Sequence, residues 1–198
     1  MRPAVNAKND ALVDFLKTRR STPVLQLAAP GPGRNEIEEM LTIAARIPDH
    51  GKLAPWRFIV FAGSAREEAG EKLADIVKAD DPASSPERLT LERERLSRAP
   101  LVIAVISRAG VHPKIPEWEQ VMSAGAACYN LVVAANAFGY GATWLTEWYA
   151  FDERAKPALG VEPEEKIAGF IHIGTRTEAP FERVRPALED IVIWRGEA

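Results

Sequence analysis

Between Pro100 and Ser107 the chain runs Leu-Val-Ile-Ala-Val-Ile with no polar residue. Six residues is strand length, and a strand without a polar face has to be covered on both sides. The segment from Trp118 to Phe138 makes a matching demand. It reads as a long helix, apolar around most of its circumference in its second half, and such a helix is buried on all sides. In a chain of 198 residues a subunit interface is a natural way to bury it.

The flanking periodicities supply further cover. Leu12, Phe15 and Leu16 share one face of a helix from Asn9 to Arg20, which ends before Pro23. After the turn Gly31-Pro32-Gly33, Asn35 with Glu38 gives a capping-box start, Ile37, Met40, Leu41 and Ala44 follow at helical spacing, and Pro48 marks the stop. Arg57 to Ala62 reads as a short buried strand. Ser64 with Glu67 opens a capped helix that turns Leu73, Ile76 and Val77 inward, Lys78 to Glu87 is loop-like, and Leu89 to Arg98 is a charged helix. Strands are expected at Ala142–Thr146 and Ile167–Ile173, joined by a short helix around Phe151–Leu159 that stops at Gly160. The tail from Thr175 to Ala198 has little periodicity and is expected to wrap a surface. Helices alternating with four short strands describe one α/β or α+β domain over residues 1–198.

Composition excludes several classes. With 46% apolar and 27% charged residues the chain is globular, and a net charge of −3 offers no global field for nucleic acid or an anionic membrane. Its one cysteine, Cys128, lies in the apolar helix and reads as a packed thiol. With no apolar leader at the N-terminus, that predicts a reduced, cytoplasmic protein. Ala124 to Gly141 carries Asn130 and Asn136 and is a buried helix rather than a membrane span. Only His50, His112 and His172 exist, and no His-Glu-x-x-His, cysteine pair or Gly-x-Ser-x-Gly occurs, so metal and serine-hydrolase sites lack their parts. Gly139-x-Gly141 leads into a strand without a third glycine, so it is not a dinucleotide fingerprint.

One cluster does carry chemistry. Arg19-Arg20-Ser21 places two guanidinium groups and a hydroxyl at a helix end, and planar, bidentate guanidiniums match a phosphate. The competing reading is that both arginines only complement the negative end of the helix dipole, worth about 0.3–1 kcal/mol each.

Four segments stand in a telling order: Arg19-Arg20-Ser21, the loop Ile47-Pro-Asp-His-Gly-Lys-Leu-Ala-Pro-Trp-Arg-Phe58, Ala99-Pro100-Leu101, and Gly139-Tyr-Gly-Ala-Thr-Trp144. Together they resemble the nitroreductase family of flavoproteins, and Pro116 to Ala126 looks like its small, single-domain branch. The resemblance spans about Phe15 to Arg176. It implies an α+β fold of three layers, α/β/α, with a mostly antiparallel central sheet flanked by helices. It also implies a homodimer with FMN at the interface, NADH or NADPH as electron donor, and a nitroaromatic, quinone or similar small acceptor reduced in a ping-pong hydride transfer. No catalytic side chain is expected, because flavin N5 carries the chemistry, and no metal.

By the same resemblance Arg19, Arg20 and Ser21 bind the flavin phosphate and ribityl chain, and Arg46 and His50 contact flavin, His50 from the partner subunit. Trp144, Leu145 and Thr146 lie along the ring. Arg176 reaches the phosphate, with Arg183 and Arg185 as alternates. Ala134, Ala135, Asn136, Ala137, Phe138 and Gly139 correspond to a stretch assigned to NAD(P)H. Against these roles stand plainer ones: a solvated turn for His50, strand packing for Trp144–Thr146, and helix-end core for Ala134–Gly139. The chain also departs from the family, with Pro23 and Val24 where relatives carry a base near the flavin pyrimidine, Leu145 for an arginine, and Ala54 for a glutamine. The lost base after Ser21 and Leu145 motivate a rival reading, a flavin-binding dimer that senses or stores flavin without turnover; a third is an FMN-dependent dehydrogenase or flavin-fragmenting oxidase on the same scaffold, separable only by product analysis.

Overall fold

The computed structural model describes residues 7–196. Most of the N-terminal stretch inspected for a leader, and the last two residues of the tail, lie outside the described residues. The elements run α1 (Asp10–Thr18), β1 (Leu27–Ala28), α2 (Arg34–Ala44), β2 (Trp56–Ala62), α3 (Ser64–Asp80), α4 (Pro86–Arg93), β3 (Leu101–Ser107), α5 (Glu117–Ala137), β4 (Gly141–Leu145), α6 (Ala155–Ala158), β5 (Lys166–Arg176) and α7 (Leu188–Ile191).

The apolar run becomes β3, buried at all seven positions. It pairs antiparallel with β2 on one edge and β5 on the other. The far edge of β5 takes β4 along Phe170–Gly174, and β5 pairs with β1 at Thr175 and Arg176, both antiparallel. Alternation along β3 splits the core in two. Leu101, Ile103 and Val105 pack with Met40 and Ala44 of α2 and the inner face of α5. Val102, Ala104 and Ile106 pack with Leu73 of α3, Leu96, Tyr149 and Leu159. The result is the expected three-layer α+β architecture.

Several local expectations are corrected. Five strands are present among the described residues, not four; β1, two residues long, was missed because pairing with β5 rather than any local pattern makes it a strand. Helix α2 starts at Arg34, not Asn35: Glu36 Oε2 accepts from the Gly33 N–H at 2.9 Å, and Glu38 pairs with Arg34 instead. Helix α3 follows Gly63, whose φ of +56° breaks the chain, so Ser64 is inside the helix and makes no cap. The charged helix begins at Pro86 under a Ser85 cap that accepts from the Arg88 N–H at 3.2 Å, and it ends at Arg93. The stretch around Phe151–Leu159 is a 3₁₀ turn at Trp148–Ala150 followed by the single turn α6. Helix α1 closes at Thr18, leaving Arg19–Ser21 in extended chain. Among the described residues, the tail buries none beyond Arg176.

Helices α3 and α4 approach so closely that a Cβ at Gly70 would fall on the Arg93 carbonyl oxygen. Gly→Ala inside a helix ordinarily gains about 0.5–1 kcal/mol, but here overpacking against backbone dominates. Gly70→Ala is expected to lower unfolding free energy by about 1–3 kcal/mol in urea titrations; a stabilised variant would refute the close approach.

Candidate functional site

The chain leaving α1 is docked onto the first residues of β4. The Thr22 N–H donates to the Ala142 carbonyl at 3.0 Å. Arg176 Nε reaches Thr22 Oγ1 at 3.2 Å, while its other nitrogens donate to the Gly139 carbonyl at 3.1 Å and Asn136 Oδ1 at 2.6 Å. Gly141 permits this packing: a Cβ there would come within 3 Å of Leu27, Arg176 and Thr22 side-chain atoms. The effect is to hold Arg19–Ser21 beside Thr143.

There the chain forms a cavity of about 290 Å³ lined by Arg19, Arg20, Ser21, Pro23 and Thr143, with Phe181, Arg183 and Arg185 brought over from the tail. The tail is tied down by an ion pair between Arg20 and Glu182. Arg19 lies over the Tyr129 ring of α5, 5.5 Å from its centroid, and its Nε is buried with no hydrogen-bond partner. A buried, unspent guanidinium donor is costly unless an acceptor completes it. Four arginines around one cavity in an acidic chain make a local anion site, and a phosphate supplies acceptors of the needed charge and geometry. The site therefore fits a phosphate-bearing cofactor.

Not every expected residue meets there. Arg176 spends its donors inside the protein and braces Thr22, whereas Arg183 and Arg185 line the cavity. Burial lowers the Arg176 pKa from the ordinary arginine value. Ala134, Ala135 and Asn136 are buried at the end of α5, whereas Ala137 and Gly139 are exposed, Phe138 is half-buried, and the Asn136 side chain is spent on Arg176 and the Val132 carbonyl. Arg46 is exposed beyond α2, and His50 Nδ1 lies 2.7 Å from Glu119 Oε2 on the outer side of α5. Neither lines the cavity within one chain. Thr143 and Phe181 were not singled out in the sequence; neighbouring strand register and the tail's path place them, and neither has a local signal.

Trp144 continues from Thr143. Its indole N–H donates to the Ala168 carbonyl at 3.1 Å, at the irregularity where β5 slips register against β3, and its ring covers Gly169 so closely that no Cβ fits. Leu145 and Thr146 follow, half-buried, where β4 ends. Cys128 is fully buried, its thiol pushed up to about 12 by desolvation, so it is no nucleophile at neutral pH. No cluster able to hold a metal ion occurs among the described residues, and no helix there is long and apolar enough to cross a membrane.

Fold and pocket define a three-layer α+β protein with an arginine-lined anion cavity on the edge strand. The sequence model of the nitroreductase family matches residues 16–175, and the chain belongs to that family. It is 35% identical over 169 residues to YdjA of Escherichia coli K12, which carries a provisional NAD(P)H nitroreductase name; the match covers 84% of this chain and 88% of that one. In three dimensions it is similar to a nitroreductase-like family protein of Bacillus cereus, with TM-score 0.80, 20% identity and 98% and 100% of the two chains covered. It is likewise similar to a Desulfovibrio desulfuricans protein described as a nitroreductase in complex with FMN, with TM-score 0.69, 22% identity and coverage of 96% and 100%.

Under the floor of this region His172 of β5 is fully buried between Val102 and Thr143, and neither ring nitrogen has a hydrogen-bond partner. Desolvation, reinforced by Arg98 and opposed by Glu147, lowers its pKa to about 4. The folded state thus disfavours the proton that the unfolded chain accepts near pH 6.5, and stability falls as pH drops from about 6.5 to 4. Within that window the group contributes on the order of 1.4 kcal/mol of loss per pH unit. Urea denaturation of His172→Leu between pH 7 and 4 should show a shallower acid decline than the unaltered protein; parallel declines would contradict the assignment.

Proposed function

We propose that this protein is an FMN-dependent NAD(P)H oxidoreductase of the nitroreductase type, a single cytoplasmic domain working as a homodimer. The observation that carries the reading is the convergence of Arg19, Arg20, Ser21 and Thr143 with Arg183 and Arg185 on one cavity, with the Arg19 Nε buried and unspent. In this reading Arg19, Arg20 and Ser21 hold the cofactor phosphate and ribityl chain, and the tail arginines close over it. Arg176 acts behind them, by fixing Thr22. Trp144, Leu145 and Thr146 lie along the ring, held by the Ala168 carbonyl and by Gly169.

FMN when bound supplies hydride acceptance and donation, so the protein's task is binding, orientation and electrostatics. In this reading NADH or NADPH would be the electron donor and a nitroaromatic, quinone or similar small molecule the acceptor, each using the site in turn in a ping-pong cycle. The stretch Ala134–Gly139 is assigned to the nucleotide and Arg46 to flavin. His50, on the outer face of α5, is assigned to the partner's site. Dimerisation is supported by the apolar side chains this chain leaves exposed, among them Leu12 and Leu16 on α1, Trp118 and Met122 on α5, and Ile193 and Trp194 in the tail.

The test is an absorption spectrum of purified protein with added FMN, followed anaerobically by NADH and then NADPH. Bleaching of bound flavin by one donor is the expected result. Bound flavin that neither donor bleaches would favour a storage or sensing protein instead. Arg19→Ala should weaken FMN binding about tenfold or more, since a charge-assisted contact is worth about 1.5–3 kcal/mol; unchanged retention in the folded variant would refute its role.

A further inference from the structure

The turn that ends β4 is held by buried side chains rather than by the sheet. Beyond the single bond from Thr22, the outer edge of β4 has no strand partner among the described residues. Nothing in the sheet therefore holds Leu145 and Thr146 from that side. One residue later Glu147 accepts four hydrogen bonds from three side chains. Arg95 Nη1 donates to it at 2.8 Å, Arg98 Nη1 at 3.1 Å and Tyr149 Oη at 2.7 Å, and Arg98 Nη2 adds a fourth bond.

The grip continues inward. Arg95 also donates twice to Glu92, at 3.1 and 3.0 Å, and the Trp148 indole donates to the same carboxylate at 2.8 Å. Glu92 is wholly buried, and Tyr149 is buried against Phe170. Two carboxylates and two guanidiniums thus balance in a low-dielectric setting, with Arg88 reaching Glu92 from the surface at 3.1 Å. Burial opposes ionisation of Glu147, yet the bonds from Arg98 and Tyr149 and the two arginine charges outweigh it and hold the carboxyl below its usual range.

We infer that Glu147 is a positioning residue for the flavin and that the Arg95–Glu147–Arg98 clamp sets the flavin's reduction potential, an inference that rests on the flavin reading above. The clamp fixes the free edge of β4 where the ring is assigned, and its charge balance decides the field felt there. The charges of Arg98 and Glu147 reach the buried His172, whose register partner Thr143 lines the arginine cavity. Neutralising Glu147 leaves a surplus guanidinium charge, which stabilises an anionic reduced flavin; neutralising Arg98 does the reverse.

The experiment measures the midpoint potential of bound FMN in Glu147→Gln and Arg98→Gln, with amide hydrogen exchange over residues 144–148 in the flavin-free proteins. Potentials displaced in opposite directions, upward in Glu147→Gln and downward in Arg98→Gln, with faster exchange in both, are the expected result. A purely structural network would loosen both variants and move both potentials the same way or not at all, which would overturn the inference. Protein that binds no FMN even unaltered would instead overturn the flavin reading, and this inference with it.

Discussion

The pairing of the end of β5 with both β4 and β1 is the constraint on which the rest depends. Because Gly141 faces Gly174 and Leu27 faces Arg176 in consecutive register, the chain between α1 and β1 is confined against the start of β4. Two further contacts then complete the placement: the Thr22 bond to Ala142 and the Arg176 brace. The small residues at this junction are as necessary as the bonds. A Cβ at Gly174 would press on Pro100 and the Ala28 carbonyl, as one at Gly141 would on Thr22. A sheet edge is ordinarily a liability; here it is where a segment with two arginines is delivered to a strand.

Charge is handled locally throughout. The chain is acidic overall, yet its cavity is ringed by arginines and its buried carboxylates are matched by guanidiniums. Buried ion pairs contribute little net stability because desolvation offsets attraction. Their effect at Glu92 and Glu147 is conformational: they join the turn after α4 to the turn after β4, two segments far apart in sequence. Arg19 is the contrasting case, a guanidinium held by an aromatic face with one nitrogen left unspent.

The layered fold was legible because β3 has no polar face and the second half of α5 is apolar around most of its circumference, and burial explains such segments. The helix starts were less so. Asn35 and Ser64 are good caps in isolation, but the helices are entered from Gly33 and Gly63, and both residues lie inside them. Ser85-Pro86 is a readable start, cap then proline at the first helical position, which the loop-like composition from Lys78 to Glu87 masks. At the site, Arg19–Ser21 was visible as a cluster, whereas Thr143, Phe181 and the seat of Trp144 depend on strand register and a slip at Ala168 that no local pattern encodes. The clamp was hidden for the same reason: Arg95 and Arg98 read only as part of a charged helix, and tertiary contact with Glu147 buries them.

The central claim is that the cavity beside β4 is a flavin phosphate site. Calorimetric titration of flavin-free protein with FMN and, separately, riboflavin tests it most directly, since the two ligands differ only in the phosphate. Affinity for FMN at least tenfold above that for riboflavin is predicted from charge-assisted phosphate contacts of about 1.5–3 kcal/mol. Equal affinity for the two, or binding of neither, would contradict the account.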